Sequence, residues 1–159
     1  MQQLGEPMKI NLILDGHPLS GYRNIDPYGF GDETKTVGDV HNLNDIVEDA
    51  EATEILALDV IDFMPSDTVL TAISHWVSKL RHRGTIVIGG KDLWQISKAI
   101  HQKILDITEA NEAIHGTEEK PRLSHLTIDR LVSIMEDQGL KILKKRVNKF
   151  DMVVEAQRP

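Results

Sequence analysis

The sequence contains no cysteine, which excludes several classes of site at once. Disulfide bonds, zinc–thiolate centres and cysteine nucleophiles all need the missing thiol. Aromatic residues make up only 4%, and the longest apolar runs are about five residues, far short of the ~20 that a membrane span requires. The polar N-terminus lacks the apolar core of a signal peptide. We therefore expect a cytoplasmic protein that does not bind or cross a membrane.

The charge is acidic and unevenly distributed, with a formal net value of −7. Residues 26–67 contain twelve acidic residues and one lysine, whereas residues 68–159 contain fifteen basic and eleven acidic residues. The overall sign argues against general nucleic-acid binding. A basic cluster near the C-terminus is typical of a solvated strand-and-turn surface, although it could contact a phosphate; it comprises Lys141, Lys144, Lys145, Arg146 and Lys149.

The chain length predicts a single domain over residues 1–159, with residues 1–7 as a flexible tail. Apolar patterning predicts the strands of this domain. Nearly continuous apolar runs predict buried parallel strands; they lie at 9–14, 54–60 and 85–89. Shorter segments at 22–26 and 36–39 predict two further strands. A turn at Asn148 predicts that 140–147 and 150–157 form an antiparallel pair at an edge of the sheet.

Apolar residues at helical spacing predict helices over 42–50 and 91–113, with Trp76 in the core face of another. That third helix begins at the N-cap Ser66 and ends at Gly84, and a last helix runs from Thr127 to Gly139. Strands therefore alternate with helices until the closing strand pair. This order predicts an α/β fold with a mostly parallel, Rossmann-like sheet and helices on both faces.

Ligands of open parallel sheets bind beyond the carboxyl ends of the strands, and carboxylates are frequent there in this sequence. Four of them end predicted strands: Asp15, Asp26, Asp39 and Asp59. Asp26 is the most specific, because a carboxylate at the end of the second strand can accept two hydrogen bonds from a ribose diol. Purely structural roles stay open, since Asp15 can stabilise its turn, Asp39 can cap a helix, and Asp26 can close the turn before Pro27.

Other candidate motifs are weaker. Gly16 and His17 follow the first strand beside Asp15, and His17 or His41 could act as a base, although a lone histidine is more often structural. The run 89–92, Gly-Gly-Lys-Asp, lacks the spacing of a phosphate loop. The histidines form no metal-ligand pattern, so we predict no metal site. No Ser-His-Asp set can be nominated, which leaves the catalytic residues unassigned.

Residues 9–26, KINLILDGHPLSGYRNID, resemble one bacterial branch of the class I S-adenosylmethionine-dependent methyltransferases. That branch has a strand, a Gly-Cys-Gly loop, Pro-Leu-Pro-Gly-Tyr and then Asn-Val-Asp. Six residues match in register without a gap: Pro18, Leu19, Gly21, Tyr22, Asn24 and Asp26. Gly38-Asp39-Val40 stands where the family has Gly-Asp-Val. A later helix and strand of the family resemble the stretch here that contains Trp76, Leu80, Gly84 and the strand 85–88, TIVI. Residues 127–156 are similar to its closing helix and strand pair.

The resemblance implies a seven-stranded Rossmann-like sheet that binds S-adenosylmethionine. It implies that Asp26 binds the ribose hydroxyls, that the Asp39 side chain and Val40 backbone lie near the adenine, and that residues 15–17 run under the methionine moiety. The sequence departs from the family pattern where Ile13 and Asp15 replace two loop glycines, whose lack of a side chain lets the backbone approach a ligand. After the fourth strand, Asp62-Phe63 replaces Glu-His.

Two functions follow from this comparison of motifs. One is an S-adenosylmethionine-dependent methyltransferase whose acceptor, a small molecule or a protein, the sequence does not identify. Methyl transfer is an in-line displacement that depends mainly on alignment, so a missing catalytic motif does not exclude it. The alternative is a methyltransferase-like domain without catalysis that binds a protein partner as an assembly module, which the altered loop and the acidic 26–67 segment favour.

Overall fold

The computed structural model of the protein describes residues 6–159 and contains a seven-stranded sheet. Its strands are β1 Met8–Leu12, β2 Arg23–Asp26, β3 Lys35–Val37, β4 Ala52–Leu58, β5 Leu80–Lys91, β6 Lys141–Asn148 and β7 Asp151–Gln157. The order is β3-β2-β1-β4-β5-β7-β6. Strand β7 runs antiparallel to β5 and β6, and the other neighbours are parallel. The predicted Rossmann-like class and the closing antiparallel pair are confirmed.

The N-terminal tail is only partly within this range. Residues 1–5 of the expected tail lie outside the described residues, while Glu6 and Pro7 are exposed and precede β1. Within the described part of the chain, no helix is long and apolar enough to cross a membrane.

Of the four helices, one begins and ends at the predicted signals and a second begins close to them. They are α1 Ser66–Lys79, α2 Leu93–His101, α3 Ile107–His115 and α4 Ile128–Asp137, and a 3₁₀ turn spans Ile61–Phe63. Thr127 caps α4 by accepting a hydrogen bond from the Arg130 N–H, and Gly139 follows it with φ +83°. At α1, however, Pro65 is the N-cap and Ser66 is the first helical residue. Gly84 lies inside β5, because that strand begins directly after Lys79.

The helix prediction for 42–50 is wrong, and that for 91–113 is correct only in part, each for a local reason. Residues 42–50 form turns, although Leu43 and Val47 are buried as the periodicity indicated. The Lys79 ammonium, itself buried, donates to the side chains of Asn44 and Asp49, so contacts with α1 hold these turns. The predicted helix 91–113 is divided, because β5 extends to Lys91 and Asp106 starts a new helix by capping the Glu109 N–H.

The core lies on one face of the sheet. A register row of Ile10, Ile55, Ile86 and Ala156 crosses four strands and packs with apolar residues of α1 and α4. Trp76 is completely buried there and donates a hydrogen bond to the Val40 carbonyl. The next row lies on the opposite face of the sheet, because side chains alternate along a strand. It mixes polar and apolar residues, namely Asn11, Leu56, Val87 and Glu155.

The distribution of helices differs from the expectation of cover on both faces. Helices on the second face of such a sheet follow β1 and β2, but the connections 13–22 and 27–34 contain no helix. They have ten and eight residues, whereas a crossover with its helix takes about a dozen or more. The two crossovers are therefore made by loops, which begin at the carboxyl ends of β1 and β2.

Candidate functional site

A pair of buried asparagines holds the loop between β1 and β2. Asn11 and Asn24 are adjacent in register and are each 5% exposed. The Asn11 amide donates to Asn24 Oδ1 at 2.9 Å and to the His17 carbonyl at 3.0 Å. Asn24 Oδ1 also accepts the Leu19 N–H, and its amide donates to the Leu19, Tyr22 and Thr34 carbonyls. These bonds fix the loop without a helix, because they satisfy backbone groups that a helix would otherwise satisfy.

The three loop residues predicted to run under a methionine moiety sit on this support. The Asp15 carboxylate forms an ion pair with Lys120 at 3.0 Å, and His17 is exposed. Gly16 has an ordinary φ, and a Cβ there would meet nothing within 4 Å. Gly16 therefore does not relieve a strained turn. Ile13 is 2% exposed and its N–H bonds the Ile25 carbonyl at 2.9 Å, so its side chain is packed inside the protein.

Asp26 lies at the carboxyl end of β2 and is 6% exposed. Its Oδ1 accepts the Tyr28 N–H at 2.8 Å, and its Oδ2 contacts the Lys35 ammonium at 2.9 Å. The hydrogen bond to Asp26 raises the pKa of Lys35. The carboxylate therefore closes the turn before Tyr28 and also forms a part-buried ion pair. Two highly exposed aromatic residues follow it, Tyr28 at 80% and Phe30 at 77%.

The remaining predicted residues lie along the same edge. Asp39 comes two residues after Val37, the register partner of Asp26, and its carboxylate accepts the His41 N–H and contacts the His41 ring. Val40 is 1% exposed, and its carbonyl is bound by Trp76. Asp59 follows β4 with φ +54° and donates its N–H to the Gly89 carbonyl. Because β1 lies between β2 and β4, the Asp15 loop separates Asp26 from Asp59.

A buried carboxylate after β4, Asp62, was not predicted as a site residue. It is 1% exposed, and its Oδ2 accepts the Lys91 N–H at 2.8 Å and contacts Arg122 at 2.7 Å. Burial raises the pKa of this carboxyl, and the Lys91 N–H and Arg122 oppose the rise. A Cβ at Gly90 would lie 2.6 Å from Asp62 Oδ1, so the Gly-Gly pair makes room for Asp62. The departure from Glu-His was the sequence signal for this cluster.

A cavity of about 400 Å³ opens at the same edge, bounded by α3 and the loop that follows it. The loop after β1, the 3₁₀ turn after β4, the end of β5 and the β6–β7 turn complete its walls. The charged and larger apolar residues of its wall are Asp15, Phe63, Lys91, Leu105, Glu109, Glu112, Lys120, Arg122 and Phe150. Of the residues predicted for the site, only Asp15 lines this cavity.

Solved structures share this arrangement. A SAM-dependent methyltransferase from Methanosarcina mazei matches with TM-score 0.68 and 16% identity, over 98% of this chain and 94% of that one. The 1,6-didemethyltoxoflavin-N1-methyltransferase of Burkholderia thailandensis, solved with S-adenosylhomocysteine, matches with TM-score 0.62 and 12% identity, over 98% of this chain and 72% of that one. A chain of the Haloferax volcanii complex that contains the methyltransferase activator Trm112 matches with TM-score 0.62 and 8% identity, over 97% and 83%.

These likenesses concern the fold. No protein-family model matches the sequence, and no curated protein matches it significantly. The strand order, the antiparallel closing pair and the structural matches agree with each other and with the motifs of residues 9–26. The chain has the fold of the class I S-adenosylmethionine-dependent methyltransferases.

Proposed function

We propose that the protein is an S-adenosylmethionine-dependent methyltransferase that binds its cofactor along the carboxyl ends of β1 to β4. The observation that carries the proposal is the position of Asp26, a nearly buried carboxylate at the end of β2 in a sheet of this order. A carboxylate there can accept both hydroxyls of a ribose. The exposed rings of Tyr28 and Phe30 beside it offer stacking surfaces for a purine.

The other predicted residues take roles that agree with their positions. Asp39 and the Val40 backbone would contact the adenine, since they follow β3 next to Asp26. Residues 15–17 and Asp59 would border the methionine moiety at the ends of β1 and β4. Ile13 presents no obstacle because its side chain is buried, whereas Asp15, paired with Lys120, would lie near the sulfonium or the carboxylate of the ligand. The cofactor supplies an electrophilic methyl group, and the protein supplies alignment.

The donor set fits an adenosine ligand once Lys35 has left the Asp26 carboxylate. Asp26 Oδ2 is occupied by the Lys35 ammonium and Oδ1 by the Tyr28 N–H, so a diol has to replace at least the lysine. This occupancy favours the second candidate, a methyltransferase fold that binds a partner without catalysis. The structural match to a chain of a complex with an activator protein also supports that candidate. The two candidates differ in whether the protein binds S-adenosylmethionine.

Calorimetric titration of the protein with S-adenosylmethionine and S-adenosylhomocysteine tests the proposal. We expect saturable binding of both ligands, and at least tenfold weaker binding by Asp26→Asn, because charge-assisted hydrogen bonds contribute about 1.5–3 kcal/mol each. The asparagine still accepts the Tyr28 N–H but loses the ion pair with Lys35, so the variant should stay folded with about 1–2 kcal/mol less stability than the parent. Asp45→Asn is the control, since Asp45 is exposed and outside the site.

Each result of this titration decides between the candidates. Saturable binding that Asp26→Asn weakens and Asp45→Asn leaves unchanged supports the methyltransferase. Absence of binding by the parent protein supports the partner-binding domain. Binding that is equally strong in Asp26→Asn would contradict the ribose assignment and move the cofactor site elsewhere on the sheet edge.

A further inference from the structure

The cavity beneath α3 has a charge pattern that selects its ligand. We infer that it binds a small molecule with an amine or another cationic group attached to an apolar, preferably aromatic, body. The volume of about 400 Å³ lies within the range of small-molecule sites. Under the proposed function this molecule is the methyl acceptor, so that part of the assignment rests on the proposed function.

Every basic side chain on the cavity wall already has a carboxylate partner. Lys91 contacts Asp151 at 2.7 Å, Lys120 contacts Asp15 at 3.0 Å, and Arg122 contacts Asp62 at 2.7 Å. These three cations are therefore neutralised by the protein itself. An anionic ligand would have to break one of these pairs, and at Arg122 it would leave the carboxylate of Asp62 buried without a counter-ion.

Two glutamates on the wall have no such partner. Glu109 and Glu112 lie three residues apart on α3, hence on one face of the helix, and both line the cavity. Neither forms an ion pair with any residue of 6–159. With the three cations paired, these glutamates leave the cavity with an excess of negative charge that an ammonium group would balance.

Apolar and aromatic side chains also line the cavity, among them Phe63, Leu105 and Phe150. The Arg122 guanidinium lies 4.7 Å from the centre of the Phe63 ring, which holds that ring in place. An aromatic body can therefore pack between fixed apolar surfaces while its cationic group reaches Glu109 and Glu112.

Fragment titrations followed by amide NMR test this inference on the full chain without cofactor. The probes are benzylamine, benzyl alcohol and benzoate, which share an aromatic ring and differ in charge. We expect benzylamine to shift the signals of residues 109–116 and Phe150 with a dissociation constant of about 1 mM, a reasonable affinity for so small a molecule. Benzyl alcohol and benzoate should bind at least about fivefold more weakly, and added salt should weaken only benzylamine binding.

A pair of matched variants assigns the effect to the two glutamates. Glu109→Gln with Glu112→Gln should weaken benzylamine binding about three- to tenfold, since the glutamates are exposed and their charges are partly screened. Glu118→Gln with Glu119→Gln makes the same change in net charge in the next loop, outside the cavity wall, and should leave binding unchanged.

The inference is overturned if benzoate binds as well as benzylamine, if the 109/112 variant binds benzylamine like the parent, or if benzylamine shifts no cavity signal. These measurements do not involve S-adenosylmethionine. A protein that binds the cofactor but not benzylamine would refute the substrate class alone. A protein that binds benzylamine but not the cofactor would refute the methyltransferase and keep the cation site.

Discussion

At the scale of single residues, the carboxylate of Asp26 has two partners from its own chain, and they differ in how easily a ligand replaces them. The Tyr28 N–H belongs to the turn that follows β2, so its bond to Oδ1 is fixed by the backbone. Lys35 reaches Oδ2 with a flexible side chain that is 19% exposed. The ammonium occupies a position that a ribose hydroxyl would need, so Lys35 competes with an adenosine ligand for Asp26.

Removal of Lys35 should therefore strengthen binding of S-adenosylhomocysteine. We expect Lys35→Ala to raise the affinity about three- to tenfold in calorimetric titration, because the ligand no longer displaces a charge-assisted bond. The free protein should lose about 1–2 kcal/mol of stability, since one carboxylate oxygen loses its partner. Arg23→Ala is the control, as Arg23 is an exposed cation on the neighbouring strand. Unchanged or weaker binding by Lys35→Ala would mean that the lysine holds Asp26 in position rather than competing for it.

The candidate site could be predicted in position but not in its contacts. Asp26 and Asp39 were predictable because the ends of parallel strands share one edge, and short motifs locate those ends. The Lys35 contact was not predictable, since it depends on how the eight residues between Asp26 and Lys35 fold back. Asp62 and Arg122 are sixty residues apart, and no local pattern relates them. The cavity was not predictable either, because its wall combines α3 with residues that follow β1, β4 and α3 in the chain.

At the scale of elements, buried strands were more predictable than helices. The apolar runs of β1, β4 and β5 are short and nearly continuous, which is typical of strands buried in a parallel sheet. The segment 42–50 had the apolar spacing of a helix, yet it forms turns, and several of its hydrogen bonds go to α1. One of these bonds runs from the Leu43 N–H to His75 Nε2 at 2.9 Å. Periodicity reports which side chains are buried, and it does not report where the backbone hydrogen bonds go.

This bond makes the packing of residues 43–47 on α1 depend on pH. Burial, followed by the nearby Lys79, lowers the pKa of His75, while Asp49 and Asp39 oppose the change. The folded state thus binds fewer protons than the unfolded state, so stability is retained above a pH of about 6.5 and decreases as the pH falls below it. Protonated His75 also cannot accept the Leu43 N–H.

A His75→Gln variant should remove this dependence, because its amide oxygen can accept the Leu43 N–H and does not titrate. Urea unfolding at a pH of about 7.5 and about 5.5 should show a smaller loss of midpoint in His75→Gln than in the parent. His101→Gln, a change at an exposed histidine of α2, should behave like the parent. Equal losses in the parent and in His75→Gln would show that other groups cause the acid sensitivity.

At the scale of the whole molecule, the sheet divides the protein into two unequal sides. One face carries the core with α1 and α4, and the other is crossed by loops between β1, β2 and β3. The second face is not empty of apolar groups: Leu58, Gly89 and Val153 are register partners there, and Leu58 is 40% exposed. The same strand therefore alternates between residues that are fully packed and residues that water still reaches.

Two neighbouring valines of β7 allow the two faces of the sheet to be compared with the same substitution. Val154 is completely buried in the core cluster, opposite Ile88, whereas Val153 lies on the other face and is only partly buried. We expect Val154→Ala to cost about 2 kcal/mol, the sum of lost burial and a cavity, and Val153→Ala to cost about 0.5 kcal/mol, since less surface is removed from water. Urea unfolding of both variants measures these values, and the strand, the residue type and the deleted atoms are the same in the two. Equal costs would mean that something covers the second face in solution as closely as the helices cover the first, and the one-sided core would have to be abandoned.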